Sequence, residues 1–94
     1  MTTLPPDEVQ ARIAGGAWRL EDGALVRDLQ LADFAAAMTF VNAVAAAAEE
    51  ADHHPDILVH GWNRVRLTLS THSAGGITDA DLALAARIDA VGAA

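Results

Sequence analysis

The sequence predicts an α+β domain: a four-stranded antiparallel sheet with three helices packed on one face, in the order α-β-β-α-β-β-α. Three observations predict it. Segments 17–31 and 57–72 alternate apolar and polar residues with the period of two that a half-buried strand requires. Asp22-Gly23 sits in the middle of the first of these, a two-residue turn signal that makes it a hairpin. Segment 32–51 repeats its apolar residues at helical spacing, and shorter helical patterns stand at both ends of the chain. Hairpins separated by helices close into an antiparallel sheet with the helices on one side.

The first helix starts at Pro5-Pro6-Asp7-Glu8 and stops at Gly15-Gly16. Proline fits a first helical turn, acids favour the positive end of the helix dipole, and glycine ends helices. In the first hairpin, Trp18 and Leu20 alternate with Ala17, Arg19 and Glu21, and Leu25, Arg27 and Leu29 alternate with Val26, Asp28 and Gln30. On the long helix, Phe34, Ala37, Met38, Val41, Val44, Ala45 and Ala48 form one apolar stripe, with Phe40 and Ala47 beside it. A face this wide predicts a second contact, with another copy of the chain. Pro55 disfavours helical geometry at His54, so the helix ends near Asp52. The second hairpin pairs ILVHGWN with RVRLTLSTH. Val65, Leu67, Leu69 and Thr71 share one face, and Arg64, Arg66, Thr68, Ser70 and His72 share the other. After the loop SAGGI, Thr78 caps the last helix with Asp81 in a capping-box position, and Leu82, Ala85, Ala86, Ile88 and Val91 are expected to face inward.

A chain of 94 residues forms one domain, 1–94. Its hydrophobic fraction is 52%, much of it alanine, so the core rests on the few larger apolar residues. A domain of this length buries only about 60–65% of its unfolded surface, and oligomerisation is a common way to bury more. The net charge of −7 argues against nucleic-acid partners and against anionic membrane surfaces. The absence of cysteine rules out disulfides and thiolate metal sites, which fits a cytoplasmic location. No secretory leader is expected in MTTLPPDEVQ, and AAAMTFVNAVAAAA is too short to span a bilayer.

The chemistry-bearing residues are the histidines, four in all. His53 and His54 lie at a helix C-terminus among Glu49, Glu50 and Asp52, where the helix dipole and the acids make the potential negative. His72 closes a strand before a glycine loop. What leaves one end of a hairpin returns to it, so His72 can converge with His53 and His54. Three readings remain open on these grounds. The histidines are a helix-end and strand-end surface set, or three imidazoles hold zinc, or imidazoles perform general acid–base work on an organic substrate. His60, in mid-strand, reads as a surface residue.

The spaced set Glu49-x-x-x-His53-His54-Pro55, Trp62, His72 and Asp81 resembles the signature of the pterin-4α-carbinolamine dehydratases. Trp18 ahead of the first hairpin, ADF before the long helix, LTLSTHSAGGIT and DADLALAARID extend the resemblance over the chain from residue 5 onward. The resemblance implies a four-stranded antiparallel sheet covered by three helices. It implies subunits that join sheets edge to edge into a homodimer, and dimers that join through helices into a homotetramer. It implies dehydration of 4a-hydroxytetrahydropterin, left by aromatic amino-acid hydroxylases, to quinonoid dihydropterin and water, with no metal and no other cofactor. His53 and His72 then form the proton-transfer pair and His54 binds and orients. Glu49, Asp52, Asp81 and Trp18 form the substrate-binding surround, Trp18 by stacking on the flat ring. Relatives that act as coactivators or as assembly factors for a carbon-fixing enzyme keep a non-catalytic alternative open, as does a dehydratase for another pterin, such as one in molybdenum cofactor metabolism. The complete histidine set favours catalysis.

Overall fold

A computed structural model describes residues 2–91. The elements are α1 (Pro6–Ile13), β1 (Arg19–Glu21), β2 (Ala24–Gln30), α2 (Phe34–Ala51), β3 (Asp56–His60), β4 (Arg64–Leu69) and α3 (Asp79–Ala90). All strand pairs are antiparallel and the sheet order is β1-β2-β4-β3. The fold class read from the sequence is the one observed. Asp22 and Gly23 both take positive φ, 51° and 76°, as the tight turn between β1 and β2 requires.

One core joins the inner face of the sheet to all three helices. It contains Leu25, Val65, Leu67 and Leu69 from the strands, Val9 from α1, Phe40 and Val44 from α2, and Leu84 and Ile88 from α3. The outer face carries charged rows instead. Asp28 accepts a bidentate pair from Arg66 (2.8 and 3.2 Å) and a further contact from Arg19 (2.9 Å). The guanidinium of Arg66 holds the Asp28 carboxyl below its ordinary range.

Two helix phases differ from the sequence reading. On α2 the buried positions are Ala37, Phe40, Val44, Ala47 and Ala48, whereas Phe34 is 55% exposed and Ala45 is exposed. The polar residues Thr39, Asn42, Glu49 and Glu50 do share the solvent side, but they are few among alanines that continue onto every face, so the apolar stripe read from the sequence is rotated from the buried one. On α3 Leu84 is buried while Ala86 is exposed and Val91, at the C-cap, is 38% exposed. The long helix also starts later than expected, at Phe34, because the Asp33 side chain caps it by accepting the Ala36 N–H at 2.7 Å.

β4 ends at Leu69, so His72 lies beyond the strand rather than at its last position. Asp56, the first residue of β3, already pairs with Thr68, and Thr71 bridges to Gly76 across the following turn. Among the described residues, no helix is long and apolar enough to cross a membrane.

Candidate active site

The end of α2 sets the direction of the two adjacent histidines. The His53 N–H reaches the Ala48 carbonyl (3.1 Å) and the Asp52 N–H reaches that of Glu49 (3.2 Å). Asp52 takes the left-handed position at φ 51°. This is a Schellman termination, with a short polar side chain where glycine is usual. The chain turns sharply there, and Pro55 carries it into β3. The two imidazoles therefore leave the helix in different directions.

His53 turns inward. Its Nε2 lies 2.5 Å from Oδ1 of Asp81 on α3, and its side chain is 17% exposed. Asp81 is fully buried. Its Oδ2 accepts the Thr71 hydroxyl at 2.7 Å and the Thr78 backbone N–H at 2.9 Å. Asp81 thus closes the capping box of α3 and holds a histidine from another helix at the same time. A buried carboxylate without partners is strongly destabilising. Here three donors and the positive end of the α3 dipole surround it, so the anion is tolerated. Among the described residues, no buried side-chain polar atom lacks a partner.

His54 turns outward. Its Nε2 lies 2.5 Å from Oε2 of Glu49, with side-chain exposures of 59% and 76%. Asp52 is exposed, and its carboxylate makes no side-chain hydrogen bond among the described residues. His72 is exposed and follows Thr71 directly. With Asp22, Gly23, Ser70, Thr71, Gly75 and Gly76 it lines an open recess of about 240 Å³. The pairing of Asp56 with Thr68 puts His53 and His72 at the same end of the β3–β4 hairpin. No imidazole touches another directly among the described contacts.

Trp18 is not part of this group. It is 7% exposed within the core, and its indole N–H donates to Asp89 Oδ1 at 2.9 Å, beside Arg27. It lines a separate recess of about 220 Å³ between α1 and α3, away from the histidines. Among the described residues, no cluster of three or more His, Cys, Asp or Glu is arranged to hold a metal ion. His60 is exposed on β3, as its place in the strand indicated.

Sequence reasoning missed Thr71 as part of the site. The signal was present: Thr71 stands in the otherwise apolar inner row Val65, Leu67, Leu69, and a hydroxyl in such a row needs a partner.

Residues 2–91 match the family model described as pterin 4 alpha carbinolamine dehydratase. A protein of Acidobacterium capsulatum, provisionally named a pterin-4-alpha-carbinolamine dehydratase, is 48% identical over 92 residues, covering 97% of this chain and 99% of its own. A crystal structure of a transcriptional coactivator/pterin dehydratase from Brucella melitensis superposes with a TM-score of 0.88 at 32% identity, covering 96% of this chain and 98% of that one. A pterin dehydratase-like RuBisCO assembly factor of the α-carboxysome superposes at 0.67 with 31% identity, covering 82% and 90%. With the family model spanning nearly its whole length, the chain belongs to the pterin-4α-carbinolamine dehydratase family.

Proposed function

We propose that the protein dehydrates a 4a-hydroxytetrahydropterin to quinonoid dihydropterin and water by histidine acid–base catalysis. The observation that carries this reading is the bond from His53 Nε2 to the buried Asp81, at the hairpin end that also bears His72. In the reaction the C4a–O bond breaks, the hydroxyl leaves as water after accepting a proton, and N5 gives up its proton as the C4a–N5 double bond forms. Hydroxide is a poor leaving group, so an acid at the hydroxyl and a base at N5 are both needed. With Nε2 engaged by Asp81, Nδ1 is the His53 nitrogen left to exchange a proton. His72, exposed at the recess, supplies the second imidazole. His54, tied only to exposed Glu49, binds and orients substrate, and Asp81 positions His53 without touching substrate.

The alternative is a non-catalytic interaction module, as the likeness to an assembly factor illustrates. The complete histidine set, with one imidazole backed by a buried carboxylate, favours catalysis. We further propose a homodimer, or a tetramer built from it. Support comes from edge strands β1 and β3 and from the exposed apolar residues Phe34 and Leu58. Light scattering giving the 9.8 kDa monomer mass at micromolar concentration would exclude this.

The test of function is turnover of chemically generated 4a-hydroxytetrahydropterin. Replacing His53 or His72 by alanine should lower kcat by about 10²–10⁴-fold, the usual worth of a positioned proton donor or acceptor. Loss of both should cost less than the product of the single effects, because groups that act as a unit are not additive. Activity should survive dialysis against EDTA. A loss restored by zinc would replace acid–base chemistry with a metal site.

A further inference from the structure

We propose that Thr71 is a positioning residue of the active site, acting through Asp81 to fix which nitrogen of His53 carries a proton. The proposal rests on the dehydratase reading above only for its effect on turnover.

Proton bookkeeping leads to it. Thr71 Oγ1 lies 2.7 Å from Asp81 Oδ2 and 2.9 Å from Thr78 Oγ1. Each hydroxyl has one proton. The carboxylate has none to give, so Thr71 donates to Asp81. The Thr71–Thr78 contact can then be a hydrogen bond only if Thr78 donates to Thr71. Thr78 Oγ1 is free to do so, because on its acceptor side it takes the Ala80 N–H at 3.3 Å. The chain of donors is therefore one-directional: Ala80 N–H to Thr78, Thr78 to Thr71, Thr71 to Asp81.

Asp81 Oδ2 also accepts the Thr78 N–H at 2.9 Å. Two donors from different directions on Oδ2 fix the carboxylate plane and leave Oδ1 aimed at His53. Oδ1 is then an acceptor, so Nε2 at 2.5 Å must carry the hydrogen. The neutral ring is held as the Nε2–H tautomer, with its lone pair on Nδ1. Without the Thr71 hydroxyl, Oδ2 keeps a single donor and the carboxylate can swing. Thr71 is 7% exposed, and its hydroxyl is already engaged by two partners. It lines the His72 recess without a free polar group for substrate, so its influence should fall on kcat and not on KM.

The experiment compares Thr71→Val, nearly the same shape without the hydroxyl, and Thr71→Ser, which keeps the hydroxyl, in the full-length protein. Ring nitrogens of His53 are observed by ¹⁵N NMR, assigned against His53→Ala. The unaltered protein and Thr71→Ser are expected to show Nε2–H predominating, and Thr71→Val a mixture of tautomers. In turnover, Thr71→Val is expected to lose about tenfold or more in kcat, with KM within about twofold, and Thr71→Ser to recover most of it. Should Thr71→Val fail to fold, Thr71→Ala, free of any steric misfit, gives the same reading. A folded Val or Ala variant that keeps the tautomer overturns the proposal. So does Thr71→Ser if it loses the tautomer as Val does, because the methyl packing and not the hydroxyl would then be responsible. If the tautomer responds as expected but the unaltered protein has no dehydratase activity, the functional reading fails and the positioning role stands.

Discussion

His53 and His54 are neighbours in sequence, and each has its Nε2 2.5 Å from a carboxylate oxygen, yet the two pairs are physically unlike. The His53–Asp81 side chains are 17% and 0% exposed, and the His54–Glu49 side chains 59% and 76%. In the first pair, donors from β4's continuation and from the α3 cap fix the carboxylate. In the second, two solvated side chains must be ordered against their own rotamer entropy, and salt screens what attraction remains. Equal distances therefore carry different weight. The inner pair orients an imidazole, whereas the outer pair only biases one.

The largest effect that would break this contrast is at Asp81. Asp81→Asn removes the anion on which three donors converge, and stability should fall by about 2–4 kcal/mol, the range for leaving buried groups mispaired. Turnover of the fraction that stays folded should fall by about 10²-fold or more if Asp81 holds the proton-transfer imidazole. Thermal melting and turnover on the same sample check both. A variant that melts normally and retains full activity would remove Asp81 from the account.

Glu49→Gln probes the outer pair and should change stability by less than about 0.5 kcal/mol, the usual scale of exposed pairs. Chemical denaturation at low and high salt measures this, and a loss as large as that at Asp81 would erase the contrast. A comparably small effect is expected at Asp28, on the outer face of the sheet, where the side chain is 41% exposed. Arg66 depresses the folded carboxyl's pKa, so its contribution is fully present above the unfolded aspartate value of about 3.9 and is lost as pH falls through the lower folded value. Asp28→Asn should therefore melt slightly earlier than the unaltered protein at neutral pH, and the gap should close in strong acid and in high salt. A gap that widens on acidification would reverse the sign.

The fold was legible because its signals are local. A period of two, an Asp-Gly turn, two prolines at a helix start and a Thr-x-x-Asp cap each act over a few residues. The phase of α2 was only weakly legible: the polar row Thr39, Asn42, Glu49 and Glu50 lies opposite Phe40, but alanine on every side widens the apolar face until it also takes in Phe34. For the site, hairpin geometry brought forward His53, His54 and His72, and the family resemblance added Asp81. The bond from Asp81 to His53 spans 28 residues and depends on how α3 docks beside the end of α2. That docking is tertiary, so the sequence offered Asp81 as a cap and, through the family resemblance, as a site residue, but not its bond to His53. Trp18 is buried in the core and bonded to Asp89, 71 residues away, a contact that the sequence alone does not show.

The most direct test of the central claim is kcat for His53→Ala against His54→Ala, measured on chemically generated 4a-hydroxytetrahydropterin with the folded fraction fixed by melting. His53→Ala should lose about 10²–10⁴-fold in kcat. His54→Ala should lose about tenfold or less and show its effect mainly in KM. Equal losses, or a larger kcat loss for His54→Ala, would contradict the assignment of proton transfer to the imidazole held by the buried carboxylate.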